Sequence, residues 1–185
     1  MNIQNLRLFM VLVGCTPKGR LTEQHDIYFG IGDTIQSLIP QIYNFWPDGG
    51  TLHIDAWREV TKVGNYRIDI VLKNDDSVTP SLFFLNLGGY RPGEIEEYHY
   101  KMLSVAESAG MAVKQAKQTS FFKHFGFKGA ESHIDEKYGQ DVDDMHKVID
   151  VLPQFLKDRY SIQITETEDG HEDELHIGYL KIKKA

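Results

Sequence analysis

Leu8 to Asp26, LFMVLVGCTPKGRLTEQHD, returns without a gap as Leu82 to Tyr100, LFFLNLGGYRPGEIEEYHY. The identical pairs are Leu8/Leu82, Phe9/Phe83, Gly14/Gly88, Gly19/Gly93, Glu23/Glu97 and His25/His99. Farther on, His53-Ile54-Asp55 returns as His133-Ile134-Asp135. An internal echo of this length reads as two copies of one unit, and it organises every other expectation.

Within the first copy, Leu8 to Val13 is apolar on both alternating sets, as a strand covered on both faces requires. Gly14 to Arg20 carries Gly14, Pro17 and Gly19 and reads as a loop. His25 to Ile31 alternates and fits a second strand, antiparallel to the first. Asp33 is the expected N-cap of a helix whose stripe is Ile35, Leu38, Ile39, Ile42 and Phe45, with Pro40 bending it or delaying its start. Thr51 to Val60 alternates again, with Leu52, Ile54 and Ala56 on one face and His53, Asp55, Trp57 and Glu59 on the other. A Gly64-Asn65 turn then leads into a partner strand, Tyr66 to Leu72.

The second copy follows the same order. Ser108 should cap a helix running to about His124, ending in a cluster of Phe121, Phe122, Phe125 and Phe127 that reads as a core seal. Ser132 to Tyr138 matches the His-Ile-Asp strand and Met145 to Leu152 its partner. The tail, Tyr160 to Glu166 and Leu175 to Lys183, has no counterpart and reads as a hairpin over an open sheet edge or a subunit contact.

The expected fold class is therefore α+β: two tandem ββαββ repeats (1–79 and 80–158) with antiparallel sheets and one helix each. The two are expected to be related by a pseudo-twofold, with a C-terminal β-hairpin over 159–185, as one globular unit. A chain of 185 residues with 41% hydrophobic content buries roughly 70% of its unfolded surface, enough to fold without disulfides. Cys15 is the only cysteine, so a reducing, cytoplasmic location is expected.

The net charge of −7 argues against a nucleic-acid partner. The run before Cys15 resembles a lipoprotein cleavage box, but it is too short for a signal and its twin lies mid-chain. No apolar run reaches the roughly 20 residues of a membrane helix, so no membrane partner is expected.

The chemistry-bearing residues repeat as well. Each copy holds Glu-x-His (Glu23/His25, Glu97/His99) and His-x-Asp (His53/Asp55, His133/Asp135). Residues two apart on a strand share a face about 6.6 Å apart, so each pair has the reach to converge on one cation. Imidazole with carboxylate suits a divalent metal such as zinc or manganese, with His25, His53 and Asp55 the metal candidates. Asp26 beside His25 would help line the same site, with Glu97, His99, His133 and Asp135 lining its mirror.

The same pattern also fits polar pairs that anchor loops, or metal-free binding and acid-base use. HExxH, CxxC, P-loop and GxGxxG patterns are all absent. Asp141, Asp143 and Asp144 fall short of a calcium loop.

The runs LFMVLVGCTPKG, EQHD, HIDAWREV and LFFLNLGGYRPG resemble a bacterial family catalogued as a domain of unknown function, number fifteen forty-three. In words of that family, a Leu-Gly-Gly loop precedes Glu-x-His-Asp and His-Ile-Asp, here Val13-Gly14-Cys15, Glu23 to Asp26 and His53 to Asp55. The first copy departs from the pattern at Cys15 and the second at Tyr100. The resemblance implies a small soluble bacterial protein and carries no assigned reaction. Taken alone, the His/Asp and Glu/His pairs read first as structural groups that anchor loops; as a function, the expectation is binding of a small molecule or divalent metal. A non-enzymatic module that forms a homo-oligomer through edge strands or the tail hairpin is the alternative, and a His/Asp hydrolase a third reading.

Overall fold

The computed structural model describes residues 3–74, 79–124, 126–127, 130–131, 133–134 and 144–183. Its strands, in chain order, are β1 (Arg7–Cys15), β2 (Gln24–Gly32), β3 (Leu52–Val60), β4 (Lys62–Val63), β5 (Tyr66–Leu72), β6 (Ser81–Tyr90) and β7 (Glu97–Ala106). They continue with β8 (Gly126–Phe127), β9 (Ala130–Glu131), β10 (His133–Ile134), β11 (Asp144–Lys147), β12 (Tyr160–Glu166) and β13 (His176–Lys181). The helices are α1 (Ile39–Phe45), α2 (Ala109–Ala116), α3 (Ser120–His124), α4 (Val148–Val151) and α5 (Gln154–Lys157). Every described strand pairing is antiparallel, so the class is mixed α+β as expected. The chain divides into two units, Met1–Asp75 with Leu152–Ala185, and Asp76–Val151.

In the first unit a four-stranded sheet runs β13-β3-β1-β2. The doubly apolar β1 is central, as its sequence demands: Leu8, Phe9, Val11, Val13 and Cys15 are all buried. Burying one such large side chain contributes about 1.5–3 kcal/mol. Phe9, Val11, Val13 and Cys15 pack with Ile35, Leu38 and Ile42 of the helical segment.

That segment is a 3-10 turn, Ile35–Leu38, followed by α1. Pro40 sits in the first turn of α1, where its missing N–H leaves no bond unmade. Thr34, rather than Asp33, supplies the cap. Its backbone is extended, so its hydroxyl accepts from Ser37 N–H at 3.3 Å while the Ser37 hydroxyl accepts from Thr34 N–H at 3.4 Å.

Two expectations about strand partners are corrected by the observed pairing. β5 pairs with β4 across the Gly64-Asn65 turn and then with β12, in a second sheet ordered β12-β5-β4, and not with β3. The tail is not a hairpin: β12 joins β5 while β13 takes the free edge of β3. A side-chain contact from the tail marks the passage at Thr61, between β3 and β4. The carboxylate of Asp173, 3% exposed, accepts from Thr61 N–H at 2.9 Å, Thr61 O–H at 2.5 Å and Lys62 N–H at 3.1 Å. This clasp holds the strand where it passes from one sheet to the other and ties the tail beside it.

In the second unit β6 is central, between β7 on one side and β10 then β11 on the other. Phe83, Leu85 and Leu87 pack with Ala112, Val113 and Ala116 of α2, and Phe121 and Phe122 close over them. Ser108 caps α2 as expected, accepting from Met111 N–H at 3.3 Å. The expected single helix is two. The Thr119 hydroxyl donates to Ala116 C=O at 2.8 Å and accepts from Phe122 N–H at 3.2 Å, closing α2 and starting α3. Phe125 lies outside the described residues.

Of the expected Ser132–Tyr138 strand only His133 and Ile134 are described, and among the described residues Met145–Leu152 does not pair with them. β11 continues along the same edge of β6, one rung beyond β10, and the chain then turns into α4. Among the described residues neither unit runs simply in ββαββ order: the first carries β3, β4 and β5 after its helix and takes in β12 and β13, and the second carries short strands and helices after α2.

Candidate metal centre

Gly14 lies in β1, not in a loop, flanked across the sheet by His25 on β2 and His53 on β3. Directly paired residues share a face, so both imidazoles stand on the face to which Gly14 contributes no side chain. Simple alternation would put His53 on the opposite face, with Trp57 and Glu59. It does not, because the pairing steps from Leu12 with Ala56 to Val13 with Ile54 and leaves Asp55 as an extra residue. This β-bulge reverses the parity of the strand below it. His53 and Asp55 join the His25 face, whereas Trp57 stays on the core face, against Phe9.

Four side chains then meet. His25 Nε2 lies 3.4 Å from Glu23 Oε2 and 3.0 Å from Asp55 Oδ2. His53 Nε2 lies 3.1 Å from Glu23 Oε1 and 3.3 Å from Asp55 Oδ2. The ligand atoms of Glu23, His25 and His53 all fall within 4.8 Å of one another. The two rings stand edge to face, at 84°. His53 is buried at 4% exposure, while His25 and Glu23 are 39% and 44% exposed and leave the cluster open to solvent on their side.

The hydrogen bonding is the informative part. His53 Nε2 and Asp55 Oδ2 are shut away from solvent and neither makes a hydrogen bond, despite oxygen and nitrogen neighbours at 3.0–3.3 Å. The atoms are close without the alignment that a shared proton needs. Buried polar atoms are almost always satisfied, and each orphan costs about 1–3 kcal/mol.

Gly14 completes the cradle. A Cβ on it would stand 2.7 Å from Asp55 Oδ2, 2.9 Å from His53 Cε1, and closer still to His53 Nε2. From the other side Tyr179 stacks on the His53 ring, with centroids 4.5 Å apart. It is brought there by a second bulge, in β13, where Gly178 takes φ +143 and the pairing jumps from Ile177 to Leu180 opposite Asp55.

Of the residues singled out in the sequence, Glu23, His25, His53 and Asp55 are brought together. Asp26 pairs with Val13, on the other face, and its carboxylate accepts from Ile27 N–H at 2.7 Å. In the second unit Glu97 Oε2 is 3.9 Å from His99 Nε2, and the backbone of His133 pairs with Gly88. Asp135, Asp141 and Asp143 lie outside the described residues. Cys15 is no rival ligand: it is fully buried in the core on the far face. Burial first, and the nearby Glu23 charge second, push its thiol up, away from the thiolate that metals and electrophiles need.

Gly14 and Tyr179 are the residues that reading the sequence for ligands missed. The identity of Gly14 with Gly88 was the available signal for the first; for Tyr179 there was none.

Residues 20–70 match the family model described as Domain of Unknown Function (DUF1543). That interval holds all four converging side chains and none of the second unit. No curated protein matches the chain. The chain is similar to a solved structure titled as protein Il1583 from Idiomarina loihiensis, with 22% identity, a TM-score of 0.57, and coverage of 97% of this chain and 99% of that one. At that identity the likeness shows a shared fold. Among the described residues no helix is long and apolar enough to cross a membrane.

Proposed function

We propose that the protein binds a divalent transition-metal ion through Glu23, His25, His53 and Asp55. The observation that carries this is the pair of buried, unsatisfied atoms, His53 Nε2 and Asp55 Oδ2, directed into a space kept open by Gly14. Ligands about 2.0–2.1 Å from one ion stand about 3.3–3.4 Å apart when tetrahedral and about 3.0 Å apart when octahedral. The four His-to-carboxylate separations run from 3.0 to 3.4 Å, the spacing a common cation would impose. Two imidazoles with two carboxylates, and no thiolate, suit zinc, manganese or iron. Such an ion supplies Lewis acidity, and the exposure of His25 and Glu23 would leave it a face for water or a small anion.

Titration calorimetry of untagged, metal-stripped protein with Zn²⁺ and Mn²⁺ tests the proposal. One site should be seen in this cluster, lost in both His25→Ala and His53→Ala. Saturating metal should raise Tm by about 5–10 °C, from roughly 2.7 kcal/mol of linkage at a hundredfold excess over Kd. Binding unchanged in both variants, or less than about a tenth of an equivalent in the native chain, would overturn it.

A second reading, self-association, is favoured by β13. Among the described residues this strand ends its sheet, with Ile177 79% and Tyr179 64% exposed. An edge of this kind accepts another strand, here from a second copy of the chain. Light scattering on the native chain and on Ile177→Lys separates the two readings: a monomer in both removes this one.

A further inference from the structure

We propose that the metal centre takes a phosphate group, held between the ion and Lys181. This inference rests on the metal reading of the Glu23, His25, His53 and Asp55 cluster. Four residues stand in one row across the sheet. Lys181 on β13 pairs with His53 on β3, and Gly14 on β1 pairs with both His53 and His25. Directly paired residues share a face, so Lys181 belongs to the face on which the two imidazoles converge. Adjacent strands lie about 4.8 Å apart, which sets the Lys181 backbone about 10 Å from Gly14. The lysine stem is long enough to close much of that distance. A single tetrahedral oxyanion spans the rest, with one oxygen on the ion and another on the ammonium.

Charge favours an anion there. Two carboxylates, Glu23 and Asp55, already balance a dication, so the charge of any further ligand is met from outside this set. Lys181 is exposed, and the loop between β1 and β2 brings two more exposed cations, Lys18 and Arg20, to the same end of the sheet. That loop turns tightly, with Arg20 N–H donating to Pro17 C=O at 3.1 Å, before the chain reaches Glu23. Among the described residues none of the three cations forms an ion pair. They stay uncommitted in a chain with 27 acidic side chains against 20 lysines and arginines. A carboxylate would need one of these cations; a phosphate dianion uses more than one, through charge-assisted hydrogen bonds of about 2.7–2.9 Å.

Beside this row lies an apolar one on the same face. Leu12, two residues from Gly14 on β1, pairs with Ile27 and with Ala56, and Ala56 pairs with Ile177. Leu12, Ile27 and Ala56 are half-buried and Ile177 is 79% exposed. A phosphate on the ion thus has apolar surface next to it for the body of a monoester.

The test is titration calorimetry on the full chain, loaded with Zn²⁺ and freed of excess metal, at low ionic strength where exposed charges are least screened. The probes are inorganic phosphate, phenyl phosphate and acetate. Zinc content, measured first by elemental analysis, reports on the metal reading by itself. Loaded native protein should bind both phosphates about tenfold or more tighter than acetate, with phenyl phosphate the tighter of the two by about threefold or more. Stripping the metal should abolish phosphate binding. Lys181→Gln should keep its zinc and lose about tenfold or more in phosphate affinity, and Lys181→Arg should restore most of it. Far-ultraviolet circular dichroism checks that both variants fold, as an exposed position on an edge strand should allow.

Zinc uptake without phosphate binding overturns the anion site and leaves the metal centre standing. The anion site is equally overturned by native phosphate affinity in Lys181→Gln, by zinc lost from that variant, by undiminished phosphate binding in metal-stripped protein, or by acetate held as tightly as phosphate. Equal affinity for the two phosphates supports the site and assigns it to the free ion. No zinc uptake overturns both readings.

Discussion

Gly14→Ala is the sharpest perturbation available, because it adds one methyl group and nothing else. The backbone at Gly14 is ordinary extended strand, so an alanine meets no conformational strain. The methyl would instead stand 2.7 Å from Asp55 Oδ2 and 2.9 Å from His53 Cε1, within the shared space of the ligands. Overpacking of this kind costs about 1–3 kcal/mol, while replacing glycine returns about 0.4–1 kcal/mol by restricting the unfolded chain. Metal-free stability should therefore fall by no more than about 2.5 kcal/mol. The bound form cannot relax by moving His53 and Asp55 apart, since both must reach the ion. Metal affinity should drop about 10–100-fold, the equivalent of about 1.4–2.8 kcal/mol.

Gly19→Ala is the control. Gly19 has φ +82, and a Cβ there would meet nothing within 4 Å, so alanine should cost about 1 kcal/mol of stability and leave metal affinity alone. Titration calorimetry and urea unfolding of the metal-free proteins give both quantities. Native affinity in Gly14→Ala would refute the idea that this glycine holds the cradle open.

Further outcomes follow from the same geometry. Asp55→Asn removes the carboxylate that lies 3.0–3.3 Å from both imidazoles, so metal binding should weaken by about tenfold or more; titration calorimetry with Zn²⁺ checks it. Tyr179→Ala removes the ring stacked on His53 and should cost about 0.5–1.5 kcal/mol, with weaker metal binding, whereas Tyr179→Phe should keep both. Asp173→Ala leaves the Thr61 and Lys62 N–H groups without their shared acceptor and should cost at least about 1–3 kcal/mol in urea unfolding. In that variant the amides of β13 should exchange with deuterium faster than those of β1.

Much of the first unit could be read from residues alone. The two-sided apolar run of β1 requires a central strand, and the three- and four-residue spacing from Ile35 to Ile42 requires a helix laid on it. Long periodic signals of that sort belong to one element and depend on no distant partner. The four converging side chains were legible for another reason: the Glu23-x-His25 and His53-x-Asp55 motifs both recur later in the sequence. What could not be read is pairing. Nothing in Tyr66–Leu72 says that it will join Tyr160–Glu166 and not its neighbour β3, since that pairing is made with a strand nearly a hundred residues away.

The bulge at Asp55 is equally silent in composition. Strict alternation keeps His53 and Asp55 with Trp57, and only the register against β1 separates them. The same limit hid the interruption of the second edge strand, where Met145 reads as a new strand although it resumes the line of His133 along β6.

Metal binding in the Gly14 cradle is tested most directly by anomalous diffraction at the zinc and manganese absorption edges, from crystals grown with each metal. A peak is expected about 2.0–2.2 Å from Nε2 of both His25 and His53 and from a Glu23 carboxylate oxygen, with Asp55 Oδ2 turned toward it. Density for water alone among these four side chains, in protein saturated with either ion, would contradict the assignment.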